Sequence, residues 1–183
     1  MIAGFIAANS DLLAQLQQVL DKVSPEQYAA HQSDVFDASI GGHVRHVLDH
    51  YENFFAAVLV AYPSDSSQLA LVSEKPMINY DSRPRERSVE IDQAVAAQRV
   101  ARIRETLDHL PRTNIDVDII LQIDSAPDSA LQHSTLAREL SFLHSHSVHH
   151  LAMMSFMLRS LGLEDIPKHF GIAPSTIKFR EAM

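Results

Sequence analysis

The chain has 183 residues, with 15 Lys and Arg against 23 Asp and Glu for a formal charge of −8, no Cys, no Trp and eleven His. That length suits one domain over residues 1–183 with a core of its own, and 46% hydrophobic against 21% charged residues excludes a disordered chain. The missing Cys excludes disulfides, thiolate zinc sites and Cys nucleophiles, and the negative balance argues against partners such as nucleic acid or an anionic membrane.

From the N-terminus, Ile2 to Ala8 is apolar but short and lacks the basic flank of a secretory signal. No run approaches the roughly 18 apolar residues of a membrane span, so the expected location is the cytoplasm. A first amphipathic helix is expected after Ser10 or Asp11, with Leu12, Leu13, Leu16, Val19, Leu20 and Val23 on one stripe, ending before Ser24-Pro25. A second runs from about Ser39 to Val60 with Ile40, Val44, Val47, Tyr51, Phe54, Phe55 and Val58 inward. Ser39 can cap it and Tyr62-Pro63 stops it. Residues 64–87 read as an irregular connection ending in Tyr80-Asp81-Ser82-Arg83-Pro84-Arg85.

A third helix is expected from Ser88 to Leu110, anchored by Ile91, Val95, Ile103 and Leu107 and closed by Pro111. Ile115, Val117, Ile119, Leu121 and Ile123 then alternate with mostly polar neighbours, the period of a strand or hairpin. The fourth helix spans about Thr135 to Leu161, with Gly162 as its C-terminal cap. The tail from Glu164 reads as irregular chain, with Pro174-Ser175-Thr176 locking the C-terminus over the bundle mouth.

The histidines carry the chemistry. On the fourth helix, His146 and His150 are about 40° apart at 3.6 residues per turn and lie inside the apolar arc, with His149 and His144 at its margins. Imidazoles aimed into a core need partners, because an unsatisfied buried polar group costs about 1–3 kcal/mol. A carboxylate or water can serve, and so can a divalent metal, for which neutral imidazole is the commonest ligand. The second helix carries His43, His46 and His50 at the polar margin of its buried face, with His43 and His50 placed slightly nearer the core than His46. One of these with His146 and His150 would make a three-His site that keeps a coordination position open.

The stretch Ser39-Ile40-Gly41-Gly42-His43-Val44-Arg45-His46-Val47-Leu48-Asp49 resembles the second-helix motif of the DinB-like family. His146-Ser147-Val148-His149-His150 resembles that family's His-x-x-His-His element. Tyr80-Asp81-x-Arg83-x-Arg85 and Phe170-Gly171-Ile172-Ala173-Pro174-Ser175-Thr176 are similar to patterns in one branch of it.

This resemblance implies an all-α, up-down four-helix bundle with a short β-hairpin or strand insertion between helices 3 and 4, and a homodimer. It also implies a divalent metal, zinc or nickel first and iron as a further candidate, held by His46, His146 and His150. The helical wheel keeps His43 and His50 open as ligands or orienting groups, with His149 beside them. Relatives in the superfamily include metal-dependent thiol transferases and a mycothiol-dependent isomerase. The implied chemistry is therefore a metal-activated water or external small-molecule thiol, acting as a hydrolase or thiol transferase on a small-molecule substrate. The competing expectation is a non-catalytic metal- or ligand-binding stress protein. Tyr80, Asp81, Arg83 and Arg85 form a set able to grip a carboxylate or phosphate, or else a loop whose Arg side chains pair with this acidic chain. His31, His109, His133 and His169 read as surface residues, and Met153, Met154 and Met157 as core filler.

Overall fold

A computed structural model describes residues 2–32, 37–61, 75–110, 116–125 and 130–183. The elements in order are α1 (Ile2–Leu20), α2 (Pro25–Ala29), α3 (Ile40–Ala61), β1 (Met77–Ile78), α4 (Arg87–Ile91), α5 (Gln93–His109), β2 (Asp118–Ile123), β3 (Ala130–Thr135), α6 (Leu136–Ser160) and α7 (Pro174–Glu181). Among the described residues the protein is mostly helical with one small sheet. Among the long helices, α1 packs on α5 and α6, and α3 packs on the same two. The apolar stripes therefore meet in one core, where Leu13, Leu16, Val44, Val47, Tyr51, Phe54, Leu107, Leu140 and Met157 are fully buried.

The second helix follows its pattern closely. Gly42 N–H donates to Ser39 Oγ at 2.9 Å, the expected cap, and every expected inward residue from Ile40 to Val58 is buried. The expected stop at Tyr62-Pro63, the connection up to residue 74, and Pro111 and Ile115 lie outside the described residues.

Other boundaries differ from expectation. The first helix begins at Ile2, eight residues before Ser10, because Ile2, Ile6 and Asn9 continue its buried stripe. Asn9 is fully buried and satisfied: its Nδ2 donates to the Leu140 carbonyl at 3.0 Å and to the Phe5 carbonyl at 2.8 Å, while Tyr51 O–H donates to its Oδ1 at 2.6 Å. One amide thus ties α1, α3 and α6 together. The expected third helix is two, α4 and α5. Asp92 interrupts it with extended backbone, and its carboxylate accepts from Ala94 and Val95 N–H as the cap of α5. Ile91, expected as an anchor, consequently ends up 54% exposed.

The alternating segment forms an antiparallel hairpin in which Asp118 faces Thr135 and Ile123 faces Ala130. β1 adds to β2 in parallel, with Met77 opposite Ile120. Ile119 and Leu121 point into the core as their alternation requires. Gly162 ends the last long helix at φ 79°, a conformation that favours Gly there. The tail is more ordered than expected. Gly171, at φ 70°, lets the chain approach α6 so closely that a Cβ would stand 2.4 Å from the Ala152 nitrogen, and Pro174 starts α7.

Candidate metal centre

α3 and α6 pack against each other, and their facing turns bring together five imidazoles. From α3 come His43, His46 and His50, spaced three and four residues apart so that they share one side of the helix. From α6 come His146 and His150. His43 and His50 are buried, and His46, His146 and His150 are partly buried.

Within this cluster, one ligand atom each from His46, His50 and His146 lies within 4.8 Å of the others. His46 Nε2 and His146 Nε2 face each other at 2.9 Å. His50 Nδ1–H donates to the His46 carbonyl at 2.8 Å, which leaves its Nε2 as a lone pair. His150, expected from the motif, has its ring centroid 4.4 Å from that of His46 and 4.6 Å from that of His146. Its Nδ1 is paired with His43 Nδ1 at 3.0 Å. His149 is exposed, with its ring edge-on to His150.

The electrostatics favour unprotonated rings. His46 is pushed down to about 2, first by burial and then by His150, His50, Arg83 and His146. His150 is pushed down to about 3 and His146 to about 4, again chiefly by burial and then by neighbouring imidazoles. Burial also lowers His50 and His43. Neutral imidazole is the form that ligates metals.

The donor set therefore fits a divalent ion. Two nitrogens at about 2.0–2.1 Å from one ion are at most about 4.2 Å apart, so the 4.8 Å envelope asks only for a small side-chain adjustment. His46, His50 and His146 could hold a metal ion.

Four side chains that sequence patterns did not single out build the surroundings. Phe142, one turn before His146, stacks on that ring at 5.5 Å and 23°. Glu139 is fully buried and accepts from Tyr80 O–H at 2.9 Å, from Arg138 at 2.7 Å and from the Ser134 hydroxyl. Asn79 folds its own loop, its Oδ1 accepting from Asp81 and Ser82 N–H. Asn53 on α3 clamps that loop by donating to the Asn79 carbonyl at 2.7 Å and the Ser82 carbonyl at 2.8 Å. The polar spacing of Asn53 one turn beyond His50 was the only available signal for it.

The expected Tyr80–Arg85 set is divided by this loop. Tyr80 stacks on His50 with centroids 5.4 Å apart and 19° between planes, and burial with the adjacent Glu139 raises its phenol. Arg83 reaches the cluster, its Nη1 donating to His46 Nδ1 at 2.5 Å. Asp81 turns away and accepts from Asp124 and Ser125 N–H, both at 3.0 Å, holding the chain directly after β2. Arg85 is exposed at φ 49° and offers its carbonyl to Arg45.

Of the histidines read as surface residues, His31, His109 and His133 are exposed, the first two near Asp37 and the Glu105 carbonyl respectively. His169 is instead partly buried and, with His144, lines a 210 Å³ cavity under the tail. Met154 and Met157 are fully buried filler. Among the described residues, no helix is long and apolar enough to cross a membrane.

A stretch of 105 residues, 56% of this chain, is 33% identical to FK506-binding protein 5 of Rhizopus delemar and covers 27% of that protein. The chain thus spans about a quarter of that relative's length. No solved structure matches the chain. The model of the DinB family matches residues 5–174, a span that includes every clustered imidazole. The chain belongs to the DinB family.

Proposed function

We propose that the protein is a divalent-metal-dependent enzyme whose ion is held by His46, His50 and His146 between α3 and α6, in an up-down four-helix bundle. The observation that carries this reading is the convergence of three ligand atoms within 4.8 Å, in rings that burial keeps unprotonated. His150, the third ligand expected from the motif, stands beside this trio and is the alternative to His50. A bound divalent ion would lower the pKa of a water or small-molecule thiol and yield a nucleophile near neutral pH. With no Cys in the chain, a thiol would come from outside. Zinc and nickel suit three imidazoles, and iron is a further candidate. The proposed setting is a cytoplasmic homodimer acting on a small molecule.

Around the ion, the protein's own contribution is orientation. The His46 carbonyl fixes the His50 tautomer, Phe142 and Tyr80 pin the His146 and His50 rings, and Glu139 anchors Tyr80. Metal analysis of protein purified without a His tag tests the reading. Stoichiometric zinc, nickel or iron in wild type, lost in the His46/His50/His146 triple Ala variant, is the expected result. Trace metal in wild type, or unchanged content in the variant, would overturn it. Single His50→Ala and His150→Ala variants decide the third ligand, since the true one loses metal and the other keeps it.

A second reading, a non-catalytic metal- or ligand-binding protein, is favoured by one observation. Among the described residues, cavities of 640, 430, 210 and 190 Å³ are lined by residues other than the clustered histidines. It predicts bound metal without exchange of any exogenous ligand at that ion.

A further inference from the structure

Arg83 differs from Arg99 and Arg45, two other partly buried arginines, in its ion pairing. Arg99 is paired with Glu52 at 3.1 Å, and Arg45 approaches Glu90 at 3.4 Å. Arg83 has no carboxylate within 4.0 Å among the described residues. Its Nη1 donates to an imidazole, and its Nε, like those of Arg45 and Arg104, is buried without an acceptor. An unsatisfied buried donor on a charged group costs more than the 1–3 kcal/mol or so of a neutral one, yet the loop is built to hold it there. Asn53 clamps the backbone at Asn79 and Ser82, directly before Arg83.

We propose that Arg83 recognises the carboxylate of a small-molecule substrate at the histidine centre, an inference that rests on the metal reading above. The charge balance calls for an anion. Three neutral imidazoles leave the charge of a divalent ion uncompensated, and a guanidinium adds one more. Of the nearby acids, Glu139 is spent on Tyr80, Arg138 and Ser134, and Asp81 on Asp124 and Ser125 N–H.

The tautomers point the same way. An imidazole that accepts at Nδ1 carries its proton on Nε2, so in this structure His46 Nε2–H donates to His146. For His46 to offer Nε2 as a lone pair, its proton must sit on Nδ1, and Arg83 then loses its acceptor. With its proton on Nδ1, His46 would no longer accept from Arg83, whose guanidinium fork would then be free to take a carboxylate through two parallel N–H bonds. A carboxylate suits this better than a phosphate dianion, because among the described residues one guanidinium, that of Arg83, donates to a clustered imidazole. The rings of Tyr80 and Phe142, 5.1 Å apart, add an apolar wall suited to a planar group next to that carboxylate.

The test uses cobalt(II)-loaded full-length protein, titrated separately with benzoate and inorganic phosphate and followed by its visible absorption spectrum. Wild type is expected to show a saturable benzoate-dependent spectral change. Arg83→Gln should weaken benzoate at least tenfold at unchanged cobalt content, Arg83→Lys should fall between, and Arg87→Gln should match wild type. Equal benzoate affinity in wild type, Arg83→Gln and Arg83→Lys overturns the inference alone. Phosphate binding tighter than benzoate overturns its carboxylate assignment. Failure of wild type to hold cobalt at the histidines overturns the metal reading and this inference together.

Discussion

His46 and His146 meet Nε2 to Nε2 at 2.9 Å across the α3–α6 contact. Because Arg83 donates to the other nitrogen of His46, the shared proton belongs to His46 in the metal-free protein. A long-range ¹H–¹⁵N spectrum should therefore show His46 protonated at Nε2 and His50 protonated at Nδ1. Adding zinc should move the His46 proton to Nδ1 and leave His50 unchanged. An unaltered His46 pattern at saturating zinc would exclude coordination through its Nε2.

Acid should unfold the metal-free protein through this cluster. The His46, His146 and His150 rings sit well below the ordinary 6.5, at about 2, 4 and 3, because burial and neighbouring imidazoles disfavour the charged form. The unfolded chain then binds more protons than the folded one below pH 6.5, so stability is full above that value and falls as pH drops towards 4. Thermal melts between pH 8 and 4 should show a steeper loss of Tm for the wild-type apoprotein than for a His146→Leu, His150→Leu variant. Parallel slopes would mean that other groups dominate.

Tyr80 O–H is one of three donors to the buried Glu139 carboxylate. Tyr80→Phe keeps the ring against His50 and removes only that donor. We expect a loss of about 1.5–3 kcal/mol, the usual range for a hydrogen bond to a charged group. Urea unfolding measures it, and a change within 0.5 kcal/mol or so would show that Arg138 and Ser134 suffice.

The Asn9–Tyr51 bond at 2.6 Å is fully buried. Tyr51→Phe leaves Asn9 Oδ1 without its donor and should cost about 1–3 kcal/mol. In Asn9→Leu, Tyr51 O–H and the Leu140 carbonyl lose partners together, so the double variant should be far from additive. Denaturant titration of all four proteins checks this, and simple additivity would show that the two side chains act independently.

Gly171→Ala tests the tail. Both the positive φ and the 2.4 Å approach to the Ala152 nitrogen oppose a Cβ. The expected cost is about 1–3 kcal/mol, read as a lowered urea midpoint. Proteolysis should then clip the variant first beyond residue 170.

The helices were legible because burial imposes a period. From Ile40 to Val58 every residue expected inward is buried, and Ile119 and Leu121 follow the strand's period of two. Breaks in a helix were not legible. Asp92 satisfies the helical pattern as an exposed residue and acts as a cap only because its neighbours' N–H groups turn towards it.

Spacing by itself determined that His43, His46 and His50 share one side of α3, and that His146 and His150 share one side of α6. Helical geometry dictates that wherever the helices lie. Which nitrogens converge depends on how α3 and α6 cross and on side-chain rotation, and neither is written in a repeat. Tertiary structure therefore decided that ligand atoms of His46, His50 and His146 come within 4.8 Å of one another while His150 Nδ1 pairs with His43. It likewise divided Tyr80–Arg85, sending Arg83 to His46 and Asp81 to the end of β2. A loop has no period, and only its hydrogen bonds to Asn53 aim its side chains.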